Sequence, residues 1–250
     1  MVLRSIPSGV LPLLSFVAGY VDGCTYLALF GLFVAQVTGS FVLTGAQLVT
    51  PNPGILVKLV GIPVFFLAGM ATTVIVSSVE RRARDALLPA LALEAVLLTC
   101  LLVSWLVSSP FRGPNLPAVL STSLCGLSAM GVQSALVRLL VQGSPSTNVM
   151  TTNTTQFAID TTELVLAWSS KRSAPSDTRP EAEHTEMLRR WTKHWSVMLG
   201  FFLGTLAGVG AYVRLDLWCV LLPIAIIGTL LVWATAANKI RTGHRPWHLL

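Results

Sequence analysis

Charge is scarce in this sequence: only 11% of its 250 residues are Asp, Glu, Lys or Arg, where a soluble globular chain carries about 25%. That deficit excludes an ordinary water-soluble domain. Cysteine is thin as well. Cys24, Cys100, Cys125 and Cys219 stand singly with no C-x-x-C spacing, so neither a disulfide framework nor a thiolate metal site is expected, and they read as small buried hydrophobes. The histidines, His184, His194, His244 and His248, fall in or beside a polar loop or in the tail, at no metal-ligand spacing. No nucleophile–base pair and no phosphate-binding glycine loop is present at usable spacing, so the sequence points away from an enzyme and calls for no cofactor.

Long apolar runs are what the chain has instead. Crossing about 30 Å of hydrocarbon takes about 20 helical residues, and windows of that kind recur at 12–35, 56–78, 87–107, 118–140, 195–213 and 216–237. The fold class expected is therefore all-α, a polytopic membrane bundle of six transmembrane helices. The net charge of +6 would suggest nucleic acid in a soluble protein; here it reports orientation, because Lys and Arg are retained in short cytoplasmic loops. Placing Arg81, Arg82 and Arg84 inside also puts inside Arg4, the 169–194 loop with Lys171, Arg172, Arg179, Arg189, Arg190 and Lys193, and the tail with Lys239, Arg241 and Arg245. Only Lys58, Arg112 and Arg214 fall outside. Both termini are then cytoplasmic, in a bacterial inner membrane or a eukaryotic one. Arg4 and the apolar run from Val10 imitate a secretory signal, but the run continues past Asp22 to Ala35 without a good cleavage site, so an uncleaved first helix is expected.

The halves echo one another. "VFFLAGM" (64–70) matches "GFFLGTL" (200–206), "LLPALALEAVLL" (87–98) matches "LLPIAIIGTLLV" (221–232), "AGYVDG" (18–23) lies opposite "AMGVQS" (129–134), and "QVTGSFV" (36–42) opposite "VMTTNTT" (149–155). All four pairs keep their order. Residues 1–107 thus form a first membrane repeat, 108–117 a linker rich in turn formers, and 118–250 a second repeat that includes the 169–194 loop and a basic tail over 238–250. Three spans per half reverse the sense of the second half, which is the inverted build common among secondary transporters. Within the loop, Pro180, then Glu181, Glu183 and Glu186, then Arg189 and Arg190 predict a short helix lying at the cytoplasmic surface, its basic end suited to anionic lipid.

Asp22 falls near the middle of the first span, where a carboxylate is most expensive: at least about 2.5 kcal/mol. It either binds a cation or cycles a proton, or it is a neutral or hydrogen-bonded acid tying helices together. Gly19 and Gly23 beside it let another helix approach closely, as do Gly200, Gly204 and Gly208 in the fifth span, where close packing is expected first and homodimer contact second. Tyr20 and Thr25 add hydroxyls. Gln133 is the repeat partner of Asp22. Thr38, Gly39 and Ser40, with Thr152 and Asn153 opposite, can cap freed backbone or bind a ligand, and the short apolar stretches behind them (41–49 and 156–168) fit broken or re-entrant helices. Ordinary interfacial loops would carry the same residues. Glu94, whose counterpart is Gly228, is read as pairing across the bundle, Arg138 as snorkelling, and Asp160 and Glu163 as solvated. "NTT" at Asn153 fits a glycosylation pattern on the wrong predicted side.

The "AGYVDG" helix, the "TGS" after it, and the "GVQSALVR" (131–138) and "TTNTT" (151–155) echo resemble the YoaK-like family of multi-pass membrane proteins, domain-of-unknown-function family 1275, over roughly residues 12 to 237. Gly19, Tyr20, Val21 and Asp22 match that family's G-Y-V-D in full. Ser40 replaces the asparagine of its first T-G-N, Thr152 the glycine of the second, and Val132 and Ser134 depart from G-M-Q-N while Gly131 and Gln133 hold. The resemblance implies a membrane helix bundle and brings no activity with it. The function expected from the residues is a transporter or permease for a small solute, with Asp22, Tyr20, Thr38, Gly39, Ser40, Gln133, Thr152 and Asn153 around a midplane site and membrane lipids as partners. The alternative is an intramembrane lipid-binding or complex-assembly protein.

Overall fold

The computed structural model describes residues 9–50, 54–81, 85–109, 117–141, 143–173 and 181–243. Arg4, Arg82, Arg84, Arg112, Arg179, Pro180, Arg245, His244, His248 and most of the 108–117 linker lie outside the described residues. The regular elements among them are all helices, with no strand: α1 (Val10–Ala28), α2 (Val37–Val49), α3 (Ile55–Arg81), α4 (Leu87–Ser108), α5 (Pro117–Leu140), α6 (Met150–Ser173), α7 (Glu181–Leu215) and α8 (Leu221–Gly243), with a 3-10 turn at Asp216–Val220 between the last two. Five helical stretches are long and apolar enough to cross a membrane: α1, α3, α4, α5 and the 57-residue stretch Glu183–Lys239, which contains most of α7 and α8. Large apolar side chains such as Phe66, Met70, Val74, Phe202, Leu206, Val213 and Val232 stand exposed on their outer faces. A surface greasy at this scale is suited to lipid, and the chain has the build of a multi-pass membrane protein.

Helix α1 runs through the middle, and small residues put it there. A Cβ built on Gly204 or Gly208 of α7 would collide with the carbonyl of Phe16 or Tyr20, one on Gly200 would stand 2.5 Å from that of Pro12, and one on Gly19 of α1 would collide with the carbonyl of Phe201. The two backbones therefore touch along several turns, which glycine alone permits. A looser version of this contact joins α5 to α3. There a Cβ on Gly131 would lie 2.9 Å from the Phe65 carbonyl, while Gly61 meets only the flexible tip of Leu127, at 2.7 Å. The other main packing partners are α4 with α5, α4 with α8, α2 with α3 and α6 with α7.

Several sequence expectations need correction. The first span ends at Ala28 rather than Ala35, because Phe30 (φ 55°) and Gly31 (φ 78°) turn the chain left-handed before α2. The polar motifs are not loops: Thr38, Gly39 and Ser40 belong to the first turns of α2, and Thr152 and Asn153 to those of α6. The short surface helix does not stop at Arg190 but continues as one 35-residue helix to Leu215. Nothing between Arg190 and Gly200 breaks a helix, and Trp191 and Trp195 pack on Phe157 of α6, which holds the junction straight. Asp160 is not solvated. It is buried, 3.0 Å from both His194 Nδ1 and the amide of Gln156, while Glu163 pairs with Arg190 at 3.2 Å. Cys100 is exposed rather than buried; all four cysteines are free.

Candidate functional site

Asp22 lies on α1 and is 3% exposed. Its Oδ1 accepts the backbone N–H of Val34 at 2.8 Å and of Ala35 at 2.6 Å. These amides sit just ahead of α2, where no earlier turn supplies an acceptor, so the aspartate ties the start of α2 to the middle of α1. Hydrogen bonds to a charged group contribute about 1.5–3 kcal/mol each. The other oxygen, Oδ2, is buried with no partner. Ser40, one turn into α2, completes the joint by donating from Oγ to the Phe33 carbonyl at 3.4 Å.

The second half carries a joint of the same plan. Gln133 on α5 is fully buried; its Nε2 donates to the Leu14 carbonyl of α1 at 2.9 Å and to Thr147 Oγ1, just ahead of α6, at 3.3 Å. Thr147 in turn donates to Asn148 Oδ1 at 2.7 Å. Asn153, one turn into α6, makes two bonds where Ser40 makes one: Nδ2 donates to the Ser146 carbonyl at 2.6 Å, and Oδ1 accepts the Ser146 N–H at 3.2 Å. In both halves the side chain reaches back seven residues.

Of the eight sequence-proposed residues, the structure gathers Asp22 with Ser40 and Gln133 with Asn153. It does not bring Asp22 to Gln133: Leu14, which Gln133 holds, precedes Asp22 by eight residues, about 12 Å along α1. Tyr20 points elsewhere, its hydroxyl donating to the Cys219 carbonyl of the 3-10 turn at 3.0 Å. Thr38 and Thr152 are exposed, and Gly39 packs edge-on to the Phe33 ring. Asn153 is buried and occupied, which is no place for a glycan. Glu94 does not pair across the bundle: it is fully buried, and neither carboxyl oxygen has a partner.

Sequence reasoning missed Ser15, Ser146, Thr147 and Asn148. Ser15 Oγ lies 2.8 Å from the Val197 carbonyl and 3.3 Å from that of Thr147, joining α1, α7 and the 143–149 segment. A signal existed, since Ser15 precedes Asp22 by seven residues and so shares its face.

A family model described as "Protein of unknown function (DUF1275)" matches residues 10–233. The chain belongs to this family. The match begins at the first residue of α1 and ends within α8, so both joints lie inside the family domain. No curated protein and no solved structure matches the chain. In this DUF1275 chain, Asp22 fastens the entry of α2 to α1, Gln133 fastens the entry of α6 to α5, and Ser40 and Asn153 brace those entries from within. Ser40, standing where the family pattern has asparagine, makes the weaker of the two fastenings.

Proposed function

We propose that this DUF1275 protein is a secondary transporter or permease for a small solute, built from two inverted repeats that each contribute three crossings and one short helix. The crossings are α1, α3 and α4, then α5, α7 and α8, with α2 and α6 as re-entrant elements and both termini cytoplasmic. Support comes from the exchange of partners: α1 packs on α7 of the other half and α5 on α3, while α2 and α6 each pack on the helix that follows them. One observation carries the reading. Asp22, deep in an apolar helix, holds the entry to α2 with one oxygen and leaves the other buried and unpartnered. Such a group is a functional-site hypothesis by default. A cation or proton at Oδ2 weakens the hold of Oδ1 on Val34 and Ala35, which links ion binding to the position of α2 and to rocking of one repeat against the other.

Asp22→Asn keeps an acceptor oxygen for Val34 and Ala35 but removes the charge. The expected outcome in proteoliposomes is loss of coupled uptake, with the variant still folded and membrane-inserted. Unchanged uptake removes Asp22 from the mechanism.

A second reading, an intramembrane lipid-binding or assembly protein, draws on the apolar cleft lined by Val64, Leu67, Leu93, Leu97, Ser128 and Val132 on the lipid-facing side of α3, α4 and α5. A stoichiometric copurifying partner, with no solute flux, favours it.

A further inference from the structure

Glu94 is the other acid buried in an apolar span, and the joint at Asp22 makes no use of it. Its depth follows from the antiparallel contact of α4 with α5. Ser104 Oγ lies 2.9 Å from the hydroxyls of Ser121 and Thr122, and a Cβ on Gly126 would stand 2.9 Å from Leu101. Seven residues along each helix, about two turns, carry the pair Leu101–Gly126 to the pair Glu94–Gln133. The cleft that Leu93 and Leu97 share with Ser128 and Val132 gives the same register. Gln133 cannot turn its amide over, because its nitrogen serves the Leu14 carbonyl, which only accepts. Its Oε1 is therefore left without a partner, as are Oε1 and Oε2 of Glu94.

Three buried acceptors at one level, with no donor on any of them, form a group that needs a hydrogen. A hard divalent cation takes about six to eight oxygens. Three do not make that shell, and no cluster of three or more His, Cys, Asp or Glu occurs among the described residues. Among the described side chains, the titratable and charged residues on the elements packed against α4 are Lys58, Glu80 and Arg81 of α3, Cys125 and Arg138 of α5, Asp216 and Cys219 of the 3-10 turn, and Lys239 of α8. None of them is a hydrogen-bond partner of Glu94.

We propose that Glu94 is a proton-exchange site, with Gln133 Oε1 as the acceptor of the protonated carboxyl. Uptake forms one O–H bond on the carboxylate and cancels its charge. Release returns the proton to water and leaves an anion against Gln133 Oε1, acceptor against acceptor, so the two side chains part. Because the same glutamine holds Leu14 of α1 and Thr147 ahead of α6, the proton on Glu94 is felt at the second joint. This links an acid of the first half to the joint of the second, and it holds with or without solute flux.

The test is infrared difference spectroscopy of the full chain in lipid nanodiscs, titrated with pH in potassium and in sodium buffers. A protonated-carboxyl C=O band that vanishes as pH rises is expected, lost in Glu94→Gln, kept in Asp22→Asn and displaced in Gln133→Leu. Glu94→Asp restores a titrating band, which keeps the test decisive if Glu94→Gln fails to fold. A Glu94 band that does not titrate marks a permanently neutral structural acid and overturns the proposal. So does a band abolished by sodium at fixed pH, which assigns the site to a metal cation.

Discussion

In the first half of the molecule a carboxylate fastens the entry to the short helix, and in the second an amide does. Asp22 takes the Val34 and Ala35 amides ahead of α2 on one oxygen, and Ser40 adds a single 3.4 Å bond. Gln133 contributes donors instead, reaching Leu14 and Thr147, and Asn153 locks Ser146 from both sides at 2.6 and 3.2 Å. The first joint thus rests on one ionisable residue with an oxygen to spare, and the second on a neutral network. An amide network carries no titrating group of its own. A carboxylate can be changed by one proton or one cation, so the first joint can be switched directly and the second only through a neighbour of Gln133. The helix contacts differ in the same sense: α1 meets α7 backbone to backbone, while α5 meets α3 through Gly131, Ala68 and side-chain tips.

The largest effect should come from closing that backbone contact. Gly204→Val places a side chain on the Phe16 carbonyl, where neither helix can yield, and overpacking of about 3 kcal/mol is expected. Ala68→Val, at the matching position of α3, should cost less, and thermal unfolding of the two variants in detergent ranks the contacts. Next comes Asp22→Ala, which leaves the Val34 and Ala35 amides buried and unpaired at a cost of about 3 kcal/mol, against about 1 kcal/mol for Gln133→Ala, which orphans no backbone amide. Equal losses would mean that the joints do not differ as described. The smallest pair is reciprocal: Asn153→Ser should lose about 1 kcal/mol and Ser40→Asn should gain about as much, by supplying the missing bond to the Phe33 N–H. Hydrogen exchange at residues 33–35 and 146–148 reads this change locally.

Much of this was legible in the sequence. Apolar run length located α3, α4, α5 and the two halves of the last stretch, because spanning hydrocarbon demands length and little else. Small-residue spacing marked the faces of α1 and α7. The end of α1 was not legible: residues 29–35 are apolar enough to continue a span, and only the left-handed turn at Phe30 and Gly31 stops it. Nor was the length of α7, since basic residues favour a helix end without forcing one. Ser15 and Thr147 were hidden for a different reason. Ser15 bonds a carbonyl 182 residues away, at Val197, and Thr147 accepts the Gln133 amide of α5, and no local pattern records such meetings.

The central claim is that Asp22 couples a bound solute to the fastening of α2. Thermal unfolding of the detergent-purified full chain against a panel of metabolites and ions at several pH values, with Asp22→Asn in parallel, tests it most directly. At about 100 times its dissociation constant a ligand stabilises a two-state native protein by roughly 2.7 kcal/mol. The account expects at least one solute to raise the unfolding temperature of the wild type and to lose that effect in Asp22→Asn. A solute that stabilises both equally, or none that stabilises either while both are well folded, contradicts it.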